Sequence, residues 1–198
     1  MGVPFGKEII AILAAYALGC FTTGYYLVRL RTGQDIRNLG SGNVGARNAG
    51  RAMGPLGFAV TLLVDCAKGM LAVGAARYAG LEPWSMLLVM LAVAIGHIWP
   101  AQLRFRGGKG IATSLGALLI YDYRIALLIL GLSLCMFALL RRFIISGLIA
   151  IAISPLAIIA LGQPAASVIG LCALAVLILI AHRENIRANI KTVLPHAR

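Results

Sequence analysis

Acidic side chains are scarce in this sequence: six Asp and Glu stand against 18 Lys and Arg in 198 residues, a formal net charge of +12. The few acids are scattered. That excludes the clustered carboxylates a Mg²⁺-dependent phosphoalcohol transferase would need, and no metal site or cofactor is expected. Charge of either sign is rare, at 12% of residues against 61% apolar, which is more apolar than an ordinary soluble domain. The four cysteines, Cys20, Cys66, Cys135 and Cys172, show neither metal nor redox spacing. All lie in apolar segments and read as small buried hydrophobes. No Ser-His-Asp set is evident, and there is no internal repeat, low-complexity tract or second domain. A single multi-pass membrane domain over 1–198 is expected.

What is there is a series of long apolar runs separated by short polar clusters. In a soluble chain, the basic excess would point to nucleic acid. Here the bases sit in loops between apolar runs, so positive-inside topology explains them more simply. Nucleic acid is not expected as a partner; membrane lipids with anionic headgroups, or an anionic substrate, are.

A membrane-crossing helix needs roughly 20 apolar residues. The runs are Ile9–Val28, Leu56–Ala76, Trp84–Leu103, Ile111–Tyr121, Ile125–Leu140, Phe143–Leu161 and Ala165–Ala181. Glycines, prolines or charges break them at Gly80–Pro83, Arg104–Gly110, Asp122–Arg124, Arg141–Arg142 and Gly162–Pro164. Ala17-Leu18-Gly19-Cys20 weakly resembles a lipoprotein cleavage site. The segment before it has Lys7 beside Glu8 and lacks a strongly basic start, so a retained first span is expected.

The run from Ile111 is short, and charge decides whether it crosses. With seven crossings, fourteen of the 18 basic residues, Lys191 and Arg198 among them, fall on one side. Three, Lys7, Arg77 and Arg124, fall on the other, and Lys68 lies within a span. Six crossings weaken the asymmetry. The expected fold is therefore an all-α integral membrane protein with seven transmembrane helices, its N-terminus outside and its C-terminus cytoplasmic. The fourth helix would be tilted in a thinned region or half-buried in protein.

Asp65 and Lys68 share a helix face inside the second span. Unpaired, each would cost at least about 2.5 kcal/mol there. Two readings fit: a site or proton path, or a structural pair that anchors the preceding loop. His97 reads as packing at the end of a span.

Three polar loops carry the chemistry. The first, Gly40-Ser41-Gly42-Asn43-Val44-Gly45, matches the dinucleotide pattern GxGxxG, but no strand or βαβ unit can surround it. Its glycines still allow close backbone approach to an anion. Ser41 and Asn43 add polar side chains, and Arg47 and Arg51 add charge four residues apart. The second, Arg104-Phe105-Arg106-Gly107-Gly108-Lys109-Gly110, lacks the first Gly and the Ser or Thr of a P-loop. It places Gly108, Lys109 and Gly110 at a helix N-terminus, where phosphate is favoured. The third is His182-Arg183-Glu184-Asn185 at the end of the last span. His182 could be a base, a donor to phosphate or a polar helix end. Glu184 reads as structural, and Asn185 can donate and accept.

Gly-Ser-Gly-Asn at 40–43, Gly-Gly-Lys-Gly at 107–110 and His-Arg-Glu-Asn at 182–185, in this order over nearly the whole chain, resemble the bacterial acyl-phosphate:glycerol-3-phosphate acyltransferase (PlsY) family. The resemblance implies seven spans with the motifs on the cytoplasmic side of the inner (plasma) membrane. It also implies acyl transfer from acyl phosphate to the 1-hydroxyl of glycerol 3-phosphate, giving lysophosphatidate and phosphate in the first step of phospholipid synthesis, with no obligatory protein partner. Carried over by residue, it implies catalytic roles for Ser41, Asn43, His182 and Asn185. Substrate binding falls to Arg51, Lys109, Gly42, Gly107, Gly108 and Gly110, and structural support to Glu184. The chain departs from the family's pattern at Arg47, where Thr is usual, and near Ile145, where a Ser is usual unless Ser146 substitutes. An anion transporter would explain the spans and arginines equally well, but transporters bind near the midplane and these motifs gather on one side.

Overall fold

The computed structural model describes residues 5–193, with side chains described for 6–189. Of the basic residues counted above, Arg198 lies outside the described residues and Lys191 outside the described side chains. Among the described residues the regular structure is α-helix with two short 3-10 turns, and no strand is present. The Gly40–Gly45 loop therefore has no βαβ unit around it. The chain divides into two compact units, residues up to Tyr123 and residues from Arg124 onward.

The first unit holds α1 (Phe5–Cys20), α2 (Thr23–Thr32), α3 (Ala46–Tyr78), α4 (Pro83–Ile98) and α5 (Ile111–Tyr121), with 3-10 turns at Ile36–Asn38 and Ala101–Leu103. The expected first span is broken: Phe21 and Thr22 separate α1 from α2. α2 ends at Gly33, whose φ of 70° lets its amide bond back to the Arg29 carbonyl. The second span begins ten residues before Leu56. α3 starts at Ala46 and kinks at Gly54 (φ 75°, ψ −167°). Pro55 then opens the longer half, where a missing amide hydrogen costs nothing in a first turn. Pro83 opens α4 in the same way.

The most extensive packing in this unit pairs α3 with α5 and α1 with α4. Both crossings use glycine to bring backbones together. A Cβ at Gly116 would run into the Cys66 carbonyl and one at Gly69 into that of Thr113; Gly19 and Gly96 play the same part between α1 and α4. α5 has 11 residues, about 16 Å of helix against a hydrocarbon core of about 30 Å. It buries Thr113, Ser114, Gly116, Ala117 and Leu118.

The second unit holds α6 (Tyr123–Leu140) from its second residue on, α7 (Phe143–Ala160), α8 (Ala165–Ala181) and α9 (Arg183–Val193). α7 packs against α8, and the turn between them uses Gly162 at φ 66°.

Among the described residues, five segments are long and apolar enough to cross a membrane: 6–32, 46–78, 83–103, 123–140 and 143–160. α8 with the first part of α9, bent by 64°, makes a sixth if taken as one. Large apolar side chains stand exposed along these helices, among them Leu88, Leu134 and Leu156, as expected where lipid is the solvent. All four cysteines are free. Cys20 is buried and Cys66 half-buried, but Cys135 and Cys172 are exposed on apolar helices, so only part of the set fits the expected burial.

Candidate active site

The first motif is built around a residue that the sequence did not single out. Asn48, on the first turn of α3, is 1% exposed. Its side-chain amide donates to the carbonyls of Ile36 (3.2 Å) and Leu39 (2.8 Å), and its Oδ1 accepts the Ser41 amide at 3.1 Å. One buried side chain thus holds the loop before it at three points, Ile36, Leu39 and Ser41. Gly40 and Gly42 take φ of 52° and 69°, and a Cβ on Gly40 would overlap Asn48 Oδ1 and lie 3.6 Å from Arg51 Cδ. Arg51 therefore folds back over the loop that carries Ser41. The Gly42 amide bonds to the Leu39 carbonyl at 2.9 Å. Asn43 is half-buried and Ser41 exposed. Arg47 and Arg51 are helical, and both line a cavity of about 410 Å³ with Gly50, Gly54, Pro55 and Phe58.

Asp35 and Arg37 brace the same loop. Arg37 bonds to both carboxylate oxygens, the shortest contact being 2.6 Å, and its Nη1 reaches the Leu103 carbonyl at 3.0 Å. The first motif's flank is thereby tied to the second motif's flank. Hydrogen bonds from the Arg37 side chain hold the Asp35 carboxyl below the usual carboxylate range, and Asp35 in turn raises the Arg37 guanidinium. The signal for this pair was a single acid two residues before an arginine, too common a pattern to read from sequence.

In the second motif, Gly110 (φ 80°) is the N-cap of α5, so Lys109 and the glycines stand at a helix N-terminus as expected. Arg104 and Phe105 both adopt positive φ, 55° and 58°, a strained arrangement for two successive non-glycine residues. The Gly107 and Gly108 amides donate to the Ile98 and His97 carbonyls at 3.1 and 2.9 Å. These two glycines consequently hold the loop against the end of α4, and the helix-facing amides of the site belong to the residues after them. Lys109 is half-buried.

The Asp65–Lys68 pair is buried, at 3.1 Å between Oδ1 and Nζ. Lys68 Nζ also donates to the Gly19 and Phe21 carbonyls at 3.1 and 2.6 Å, and Asp65 Oδ1 accepts from the Thr23 hydroxyl at 2.9 Å. The cation thus caps the carbonyl end of α1 while the carboxylate meets the amide end of α2, each charge matching the helix terminus it faces. This is how a break inside an apolar span keeps its backbone groups satisfied. The pair therefore plays a structural part, but at the α1–α2 break and not, as expected, at the loop before α3.

The third motif lies in the second unit. His182, 5% exposed, ends α8, and its Nδ1 lies 2.9 Å from the Ile178 carbonyl. A carbonyl only accepts, so Nδ1 carries the hydrogen, and Nε2 is the basic nitrogen of the neutral ring. Glu184 is exposed on the first turn of α9, a favourable place for an acid. Asn185 is half-buried, and Asn189 on the same helix accepts from Arg142 at 2.7 Å. Ser146 is buried and donates to the Arg142 carbonyl at 2.9 Å.

Residues 9–192 match the family model described as glycerol-3-phosphate acyltransferase. The chain is 45% identical to glycerol-3-phosphate acyltransferase 1 of Desulfitobacterium hafniense (strain Y51) over 180 residues, 91% of this chain and 89% of that one. It resembles the crystal structure of PlsY, an integral membrane glycerol 3-phosphate acyltransferase, in its glycerol 3-phosphate form, with a TM-score of 0.86 and 31% identity over 94% of each chain. The lysophosphatidic acid form of PlsY gives a TM-score of 0.83 and 29% identity, over 94% of this chain and 93% of that one. The chain belongs to the glycerol-3-phosphate acyltransferase family of integral membrane enzymes.

Proposed function

We propose that the chain transfers a fatty acyl group from acyl phosphate to the 1-hydroxyl of glycerol 3-phosphate, releasing lysophosphatidate and inorganic phosphate. The observation that carries this reading is the likeness over nearly the whole chain to PlsY in its glycerol 3-phosphate form. Both substrates are phosphorylated, and an arginine- and lysine-rich site suits them, since charge-assisted hydrogen bonds are about twice as strong as neutral ones. Arg51 and Lys109 hold the glycerol phosphate. Ser41, Asn43 and the loop amides around Gly110 orient the acyl phosphate and stabilise the oxyanion that forms on its carbonyl oxygen. The glycerol hydroxyl attacks that carbon, the phosphate leaves, and no covalent enzyme intermediate is needed because the donor is already activated. His182 takes the hydroxyl proton at Nε2. The Ile178 carbonyl supports this assignment by fixing the tautomer, the part an Asp plays in a hydrolase triad. Asn185 orients a substrate phosphate, and Glu184 stabilises the start of α9.

In this reading the helices cross the bacterial inner membrane seven times, with the 11-residue α5 as the fourth crossing and with all three motifs facing the cytoplasm. The acyl tail lies toward lipid. No metal, nucleic acid or obligatory protein partner takes part.

Purified protein in detergent, given acyl phosphate and glycerol 3-phosphate, is the test. Lysophosphatidate and phosphate should form in equal amounts, and Lys109→Ala should lose most of that turnover. Formation of neither product, or activity with acyl-CoA alone, sinks the proposal.

A further inference from the structure

We infer that His97 is a positioning residue for the second motif: its ring is the seat on which Gly107-Gly108-Lys109 rests. The functional part of this inference rests on the proposed acyltransferase reaction; the positional part does not.

His97 is 3% exposed on the last turn of α4. One edge of its ring meets Lys68, with Nδ1 2.8 Å from Nζ. An ammonium can only donate, so Nδ1 accepts, and the neutral ring carries its hydrogen on Nε2. The other edge meets the second motif. A Cβ placed on Gly108 would overlap Nε2, so the backbone there passes closer to the ring than any other residue allows. The His97 carbonyl takes the Gly108 amide as well, so the same residue holds the loop by backbone and by ring.

The count of hydrogens shows which edge matters. Lys68 has three hydrogens and four acceptors within 3.1 Å: Gly19 O, Phe21 O, Asp65 Oδ1 and His97 Nδ1. Without His97 the cation still has one acceptor per hydrogen. Gly108 has no such substitute, because the ring fills the space beneath it. The loop also contains successive positive φ values at Arg104 and Phe105. A strained segment keeps that form only if its surroundings over-determine it. The ring, the two amide bonds to α4 and the Phe105 amide bond to the Pro100 carbonyl at 3.0 Å do so. The buried charges are thus the outer end of a chain that runs from Thr23 through Asp65, Lys68 and His97 to the amino-terminal approach of α5.

Three variants test this. His97→Ala removes both edges. His97→Asn keeps an oxygen at the Nδ1 position facing Lys68. His97→Gln places an amide near the Nε2 position under Gly108. Hydrogen exchange, read by mass spectrometry on intact protein in detergent, should speed up in peptides covering 104–112 for the Ala and Asn variants and stay near wild type for Gln, with α7 and α8 unchanged in all three. In turnover assays the Ala variant should raise KM for glycerol 3-phosphate by about tenfold, the equivalent of about one lost hydrogen bond, with kcat and the KM for acyl phosphate little changed. Unchanged exchange at 104–112 in His97→Ala overturns the inference. So does rescue by Asn but not Gln, which puts the role on the Lys68 edge, and so does acceleration spread evenly over all helices. If His97→Ala does not fold, the Asn and Gln exchange patterns still decide. A wild-type protein that makes no lysophosphatidate sinks the proposed reaction while the exchange data continue to judge the seat.

Discussion

The side-chain oxygen of Asn48 accepts the backbone amide of Ser41 at 3.1 Å. A buried helix residue therefore sets the position of an exposed loop residue seven places earlier. Replacing Asn48 by Ala removes this bond and the two to Ile36 and Leu39, and strands buried backbone groups. We expect a stability loss of about 2–3 kcal/mol and a fall in kcat/KM of tenfold or more, on the order of 1.4 kcal/mol. Thermal melting and turnover in the same detergent check both. Wild-type turnover in Asn48→Ala would show that the loop keeps its shape without it.

Asp35 gives the first unit a dependence on acid. Its folded-state carboxyl is depressed by hydrogen bonds from Arg37, so its stabilising contribution is full above the unfolded value of about 3.9. It is lost as pH falls through the lower folded value. Asp35→Asn should therefore melt below wild type at pH 7, and the gap should narrow below about pH 4. A gap that is constant with pH would mean that the pair contributes no charge-dependent stability.

If His182 is the base, only its neutral form works. Then kcat/KM should fall on the acid side as the ring takes up a proton, and His182→Gln should lose that acid limb together with roughly hundredfold in kcat. Substantial turnover in His182→Gln would transfer the proton to a substrate phosphate instead.

Gly116 tests the crossing of α3 and α5. Its missing side chain leaves room for the Cys66 carbonyl. Gly116→Val should destabilise by about 1–3 kcal/mol through overpacking, and Gly131→Val, at an open position on α6, should not. Equal melting of the two variants would mean that the close approach is not limiting.

Much of this architecture was legible in the sequence because hydropathy and turn residues are local signals. Ile111–Tyr121 and Ala165–Ala181 came out as helices with the bounds read from the apolar runs. What was missed depends on partners far along the chain. Nothing near Phe21 reveals a break, because the groups that satisfy it, Lys68 and Asp65, lie more than 40 residues later. Pro55 falls just outside the Leu56–Ala76 run, since its role as the first residue of a half-helix depends on the Gly54 kink. In the site, the motifs were visible as clusters of glycine and polar residues. Asn48 and His97 were not, because each acts on a loop from within an apolar or helical setting. A buried Asn or His reads as packing until its partners are known.

The capped break between α1 and α2 also bears on how the protein is made. Synthesis runs from the N-terminus, so the segment around Gly19–Thr23 emerges well before Asp65 and Lys68 exist. Until then its carbonyls and amides are open to whatever solvent surrounds them, and hydrocarbon cannot serve them. The first hydrophobic segment is thus an unfinished piece when it leaves the ribosome. The capped form of that break exists only once a later helix has delivered both ions together.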